Sequence, residues 1–94
     1  MPERPAWTFL TSHGFVLLEV ARAPNATVRE IAEQVGLTER QAHRVLADLV
    51  EGGFVQRQRV GRRNHYRVDE TVPLRHPLLA HHRVGELLAA LRTV

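Results

Sequence analysis

The sequence contains no cysteine and no lysine. Without cysteine there is no disulfide framework, no Cys-based zinc module, no thiolate nucleophile and no thiol redox sensor. No apolar run approaches the ~20 residues of a membrane span. The first residues, Met1-Pro2-Glu3-Arg4-Pro5, lack the apolar stretch of a signal peptide. A soluble, cytoplasmic protein is expected. No Ser-His-Asp arrangement, carboxylate pair or Gly-rich phosphate loop can be assembled either, because Gly52-Gly53 and Gly61 sit where turns need them. The expectation is no enzyme and no cofactor.

What is present is the balance of a folded globule: 94 residues, 44% hydrophobic and 24% charged. That length allows one domain, residues 1–94, with a core small enough that a second subunit often completes it. All 13 basic residues are Arg, and with the many Ala this composition points to a GC-rich, bacterial genome. The net charge is +3, and it is unevenly placed. Between Thr38 and Arg67 seven Arg (40, 44, 57, 59, 62, 63, 67) face three acids (Glu39, Asp48, Glu51). Elsewhere six Arg face seven acids. One contiguous third therefore carries the positive charge, as expected of a surface that meets a polyanion.

Hydrophobic spacing and end signals give the order helix, helix, helix, hairpin, helix, a mainly α fold with a small β-hairpin. A first helix is expected from Ser12 to about Ala23, capped by Thr11 or Ser12 and stopped by Pro24-Asn25. The second runs from about Val28 to Val35, opened by the capping box Thr27-Val28-Arg29-Glu30, with Val28, Ile31, Ala32 and Val35 on one face. Gly36-Leu37 turns the chain. A second capping box, Thr38-Glu39-Arg40-Gln41, opens the third helix from Glu39 to about Gly52, with Ala42, Val45, Leu46 and Leu49 inward. The period then drops to two: a strand over Phe54–Val60, a turn over Gly61–Asn64 and a returning strand over His65–Val68. An irregular stretch follows, and a last helix starts near Pro77 or Leu78, with Val84, Leu87, Leu88 and Leu91 on one face.

Two short helices joined by a Gly-containing turn, the second capped by Thr, have the form of a helix-turn-helix. The arginine-rich hairpin that follows has the form of a wing. Across Thr27–Thr38, Val45–Val55 and Arg59–Asn64, the chain resembles the winged helix-turn-helix transcriptional regulators, the ArsR-like and MarR-like proteins in particular. The resemblance covers Ser12 to Val68. It implies sequence-specific binding of double-stranded DNA by a homodimer, most simply as a repressor. Short length and missing cysteines are departures from those families. A protein-docking module and a nonspecific architectural DNA binder are the alternatives that the same pattern allows.

With the apolar stripe of the third helix inward, Arg40, Arg44, Ala47 and Glu51 fall on the opposite line, flanked by Gln41 and His43. Arg can chelate guanine and Gln can pair with adenine, while the Thr38 cap can hold a phosphate. From the hairpin, Arg57, Arg59, Arg62, Arg63 and Asn64 are expected on the backbone or in a minor groove, with Arg62 and Arg63 at the tip.

Residues 12–68 are thus the expected DNA-binding core. The flanks, 1–23 and 77–94, carry more apolar surface than such a core covers, so a dimer interface is expected there from Trp7, Leu10, Leu17, Val84, Leu87, Leu88 and Leu91. His76, His81 and His82 cluster near the last helix. His82 with Glu86, four residues on, is the one arrangement that a metal ion could use, but a plain polar helix start explains it better, and no metal is expected. Neither an effector nor an operator is legible.

Overall fold

Threonine hydroxyls decide where the first three helices begin. The computed structural model describes residues 5–92, and in it α1 spans Ser12–Arg22, α2 Val28–Val35 and α3 Glu39–Glu51. Thr11 Oγ1 accepts from the Gly14 amide at 3.3 Å, so Thr11 rather than Ser12 is the cap of α1. Both expected capping boxes form. The Glu30 and Gln41 amides donate to Thr27 and Thr38 Oγ1, each at 3.1 Å. In return the Thr27 amide donates to the Glu30 carboxylate at 3.0 Å, and the Thr38 amide to Gln41 Oε1 at 2.9 Å. The Thr27 amide and hydroxyl, and more weakly the charge of Arg63, hold the Glu30 carboxyl below the ordinary carboxylate range.

The end of α3 sets the direction of the wing. The Phe54 amide reaches back to the Leu49 carbonyl at 2.9 Å and the Gly53 amide to the Val50 carbonyl at 3.1 Å, the pair of bonds that defines a Schellman closure. Gly53 takes φ +83°, the left-handed conformation this closure needs. Phe54 is thereby turned into the core beside Leu49, so the first strand starts at Val55 rather than Phe54.

β1 (Val55–Val60) and β2 (Arg63–Val68) pair antiparallel, from Val55 opposite Val68 to Val60 opposite Arg63. The turn is therefore two residues long, Gly61-Arg62, with Gly61 at φ +63° in the position that a II′ hairpin turn favours for glycine. Arg63 and Asn64, expected in the turn, belong to β2. Pairing beyond the apolar residues is what extends the strand, and no hydrophobic alternation marks it.

The last helix is shorter than its apolar spacing predicts. Pro77–Leu79 closes as a 3₁₀ turn capped by His76, whose Nδ1 accepts from the Leu78 amide at 3.1 Å. The chain then runs back along the segment after β2. The Leu74 amide bonds the His82 carbonyl and the Val84 amide the Val72 carbonyl, both at 2.9 Å. These bonds keep the residues before Val84 extended, and α4 is Val84–Leu91.

The core is built from Val16, Leu17 and Val20 of α1, Ile31 of α2, Val45, Leu46 and Leu49 of α3, then Phe54, Val55, Tyr66, Val84 and Leu88. Three residues expected at a dimer interface, Leu17, Val84 and Leu88, are thus buried inside the protomer's own core. The helical period identifies a buried face but not which molecule buries it. Parts of the expected dimer segments, residues 1–4 and 93–94, lie outside the described residues.

The closure at Gly53 gives a clean test of how much the turn into the wing depends on backbone conformation. A Cβ at this position would meet nothing within 4 Å, so Gly53→Ala is expected to destabilise through conformation alone, by roughly 1–2 kcal/mol. Gly53→Asn should lose less, because asparagine tolerates the left-handed region. Denaturant unfolding of both variants checks this ordering.

Candidate nucleic-acid interface

The exposed side of α3 is sorted by its hydrogen bonds into free and occupied side chains. Arg40, Arg44 and Ala47 are exposed on the line opposite the buried stripe. Neither arginine has a side-chain hydrogen bond or ion pair among the described residues. Gln41 differs. Its Oε1 accepts from the Thr38 amide, which turns the side chain back toward the N-cap and leaves its NH₂ and one oxygen lone pair unspent. The Gln41 amide is likewise spent on Thr38 Oγ1. Thr38 keeps its hydroxyl hydrogen as a donor for a phosphate.

The acids of α3 are mostly occupied too. Glu39 Oε2 lies 3.8 Å from His43 Nε2, one turn along the same helix. Asp48 Oδ2 lies 2.8 Å from Nε2 of His13, at the start of α1. Glu51, exposed near the C-terminal end of the outward line, has no such partner among the described residues. The electropositive stretch of α3 is therefore its first two turns.

The register of the hairpin divides the wing arginines between two faces. Arg57 and Arg59 share a face with Tyr66 and Asn64, their cross-strand partners. Arg63, His65 and Arg67 share the other with Val60, Gln58 and Gln56. Arg62 alone occupies the turn. Every residue from Gln56 to Asn64 is exposed. Arg59 is tethered, its Nε donating to the Gly61 carbonyl at 3.3 Å. The charge of Arg63 is felt at Glu30, in the first turn of α2. His65 and Arg67 lie outside the set of contacts that the sequence leads one to expect. The rows of a hairpin become legible only once the register is known.

The histidines near α4 are taken up locally. His82 Nδ1 lies 2.9 Å from Glu86 Oε1, while Glu86 Oε2 accepts from the Arg83 amide at 2.7 Å. These bonds, His82 first, hold the Glu86 carboxyl below its ordinary range. His76 is spent as the 3₁₀ cap, and the His81 and His82 rings lie 4.1 Å apart. Among the described residues no three His, Asp or Glu side chains come together as a metal site would need.

Away from α3 and the wing, an open cavity of about 850 Å³ lies between α1, the end of α2 and α4, with Leu10, Phe15, Leu18, Leu37 and Leu91 on its walls. In its wall the two carboxylate oxygens of the buried Glu19 accept from Nε and Nη2 of Arg22, at 2.9 and 2.6 Å. Trp7 and Phe9 stand beyond it, 71% and 94% exposed and edge to face at 5.3 Å. No helix among the described residues is long and apolar enough to cross a membrane.

Comparison with curated proteins gives no match. Residues 9–63, more than half of the chain, match the family model described as MarR family. That span holds α1, the helix-turn-helix of α2 and α3, β1 and the turn of the wing. The chain therefore belongs to the MarR family of winged-helix, DNA-binding transcription regulators.

Proposed function

We propose that this regulator binds operator DNA as a homodimer and represses by occupying it, with α3 in the major groove and the wing on the phosphates or in a flanking minor groove. The observation that carries the reading is the pair Arg40 and Arg44. They are four residues apart on one rigid helix face, exposed, and without any side-chain partner among the described residues. An arginine that makes no bond within its own molecule keeps its donors for guanine O6 and N7. Ala47, one turn on, leaves room for the helix to approach the base edges. Glu51 limits the contact to the N-terminal part of α3, since a carboxylate there would face phosphate. Arg57, Arg59, Arg62 and Arg63 supply the backbone contacts, which carry affinity without reading sequence.

The homodimer reading rests on the apolar surface that the protomer leaves open. With Leu17, Val84 and Leu88 inside the core, the residues available to a second copy are Trp7, Phe9, the half-buried Leu10 and Leu87, and Leu91, which is 44% exposed. Large exposed aromatics beside an open apolar cavity are the kind of patch that a partner covers. A bacterial, cytoplasmic setting fits this reading.

Salt titrations on a selected duplex and on a random duplex separate reading from positioning. Arg44→Ala is expected to cost ~1–3 kcal/mol on the selected sequence and far less on random DNA. Arg62→Ala should weaken both duplexes alike and lower the salt slope by about 1 for each phosphate that it leaves unneutralised. Equal weakening on both duplexes for Arg44→Ala means that α3 is not the reader.

Sedimentation tests the dimer. Leu91→Glu places a charge on the exposed apolar patch without entering the core, so a folded monomer is expected where the unaltered protein sediments as a dimer. An unaltered protein that is already monomeric at high micromolar concentration excludes the arrangement.

A further inference from the structure

The two ends of the His13–Asp48 pair lie 35 residues apart in sequence and on different helices. No other hydrogen bond between two side chains among the described residues joins two helices. Both partners remain half exposed, at 48% and 52% of their side chains, so the pair sits on the surface along one flank of α3. At 100° per residue Asp48 falls between the buried stripe and the outward line of Arg40 and Arg44. His13 therefore stands beside the third turn of α3, one turn beyond Arg44 and the stretch proposed to meet DNA.

The chemistry of the pair fixes the tautomer of the ring. An ionised carboxylate only accepts, so the imidazole nitrogen bonded to it, Nε2, must carry hydrogen. In the neutral ring Nδ1 is then a bare lone pair, and it has no partner among the described residues. A bare lone pair repels a phosphate oxygen. When a proton from solvent adds to Nδ1, the same atom becomes a charged donor, while Nε2 keeps its bond to Asp48. The cation also offsets the Asp48 charge, which otherwise opposes the approach of a polyanion. The charges nearest to Asp48 along α3 are Arg44, one turn before it, and Glu51, one turn after. On its own helix His13 has Val16 and Leu17 one turn on, which bring no charge.

We infer that His13 is a positioning residue for DNA binding, held by Asp48 so that its free ring nitrogen, once protonated, donates to a phosphate beside the α3 contact. The inference rests on the DNA-binding reading of α3. Its consequence follows from linkage. The bound complex holds a proton that the free protein need not hold, so binding takes up a proton and affinity rises as pH falls.

The experiment is fluorescence anisotropy of a labelled mixed-sequence duplex at constant ionic strength, from about pH 8 to about pH 6. Titration calorimetry in two buffers of different ionisation enthalpy counts the protons taken up. The unaltered protein is expected to gain about tenfold in affinity over that range. His13→Gln should bind at the alkaline end within about twofold of it and lose most of the gain. His81→Gln, which alters an imidazole near α4 away from the basic surface, should keep it. Asp48→Asn no longer dictates the tautomer and removes one negative charge, so it should bind more tightly at the alkaline end and respond less to pH. Circular dichroism melts check the fold of each variant, and the His13 and Asp48 substitutions test the inference independently. A pH response in His13→Gln equal to that of the unaltered protein overturns it, as does a flat profile in the unaltered protein. Absence of binding at every pH overturns the DNA-binding reading and this inference with it.

Discussion

The amide of Phe54 bonded to the carbonyl of Leu49 is the contact on which the rest of the molecule turns. It ends α3, reverses the chain through Gly53 and delivers Phe54 into the core beside the helix it has just left. Because β1 starts at the next residue, the angle between the helix and the wing is set within three residues of backbone. The wing has no other strong anchor than its base, where Val55 and Tyr66 are buried while the residues between Gln56 and Asn64 are exposed. A rigid helix joined through a fixed turn to a blade held only at its root divides labour by stiffness. Base readout needs donors held in place, whereas phosphate contacts tolerate a moving tip.

Electrostatics follow the same division. On the first two turns of α3 the free charges are Arg40 and Arg44, while Glu39 and Asp48 each face an imidazole and Glu51 stands at the helix end. Exposed ion pairs of this kind contribute little to stability. They do, however, occupy carboxylates that would otherwise repel phosphate along the whole helix. In the wing no acid occurs between Phe54 and Val68, so nothing there needs occupying. The uneven charge of the chain thus resolves, in three dimensions, into one helix whose acids, Glu51 at its end excepted, lie beside imidazoles and one hairpin that has none.

How much of this was legible depends on the range of the forces involved. The starts of α2 and α3 could be read because a capping box is a contact between residues three apart. The start of β2 could not, since Arg63 and Asn64 are strand residues by virtue of Val60 and Arg59 across the hairpin. At Pro77 the apolar residues Leu78 and Leu79 imitate a helix start, while the bonds that prevent it come from Val72 and Leu74. Leu17, Val84 and Leu88 show the same limit in packing, because amphipathic spacing predicts burial without naming what does the burying. The outward arginines of α3 were legible from helical period alone. What the sequence did not reveal at Gln41 and His13 was a hydrogen bond, local in the first case and 35 residues long in the second.

A single protomer brings only a small excess of positive charge to a duplex, and the excess is concentrated in α3 and the wing. Counterion release scales with the number of phosphates contacted, so on the proposed reading one copy with a handful of free arginines is expected to bind weakly at physiological salt. Two copies joined on a two-fold axis double those contacts and the base contacts together, and they fix the spacing of two half-sites. The exposed aromatic arm and the open cavity lie among α1, the end of α2 and α4, while the basic surface lies on α3 and the hairpin. In the proposed dimer the apolar patch can then be covered without hiding any arginine that DNA needs. Glu19 and Arg22, already bonded to each other in the cavity wall, bring no unpaired charge into that interface.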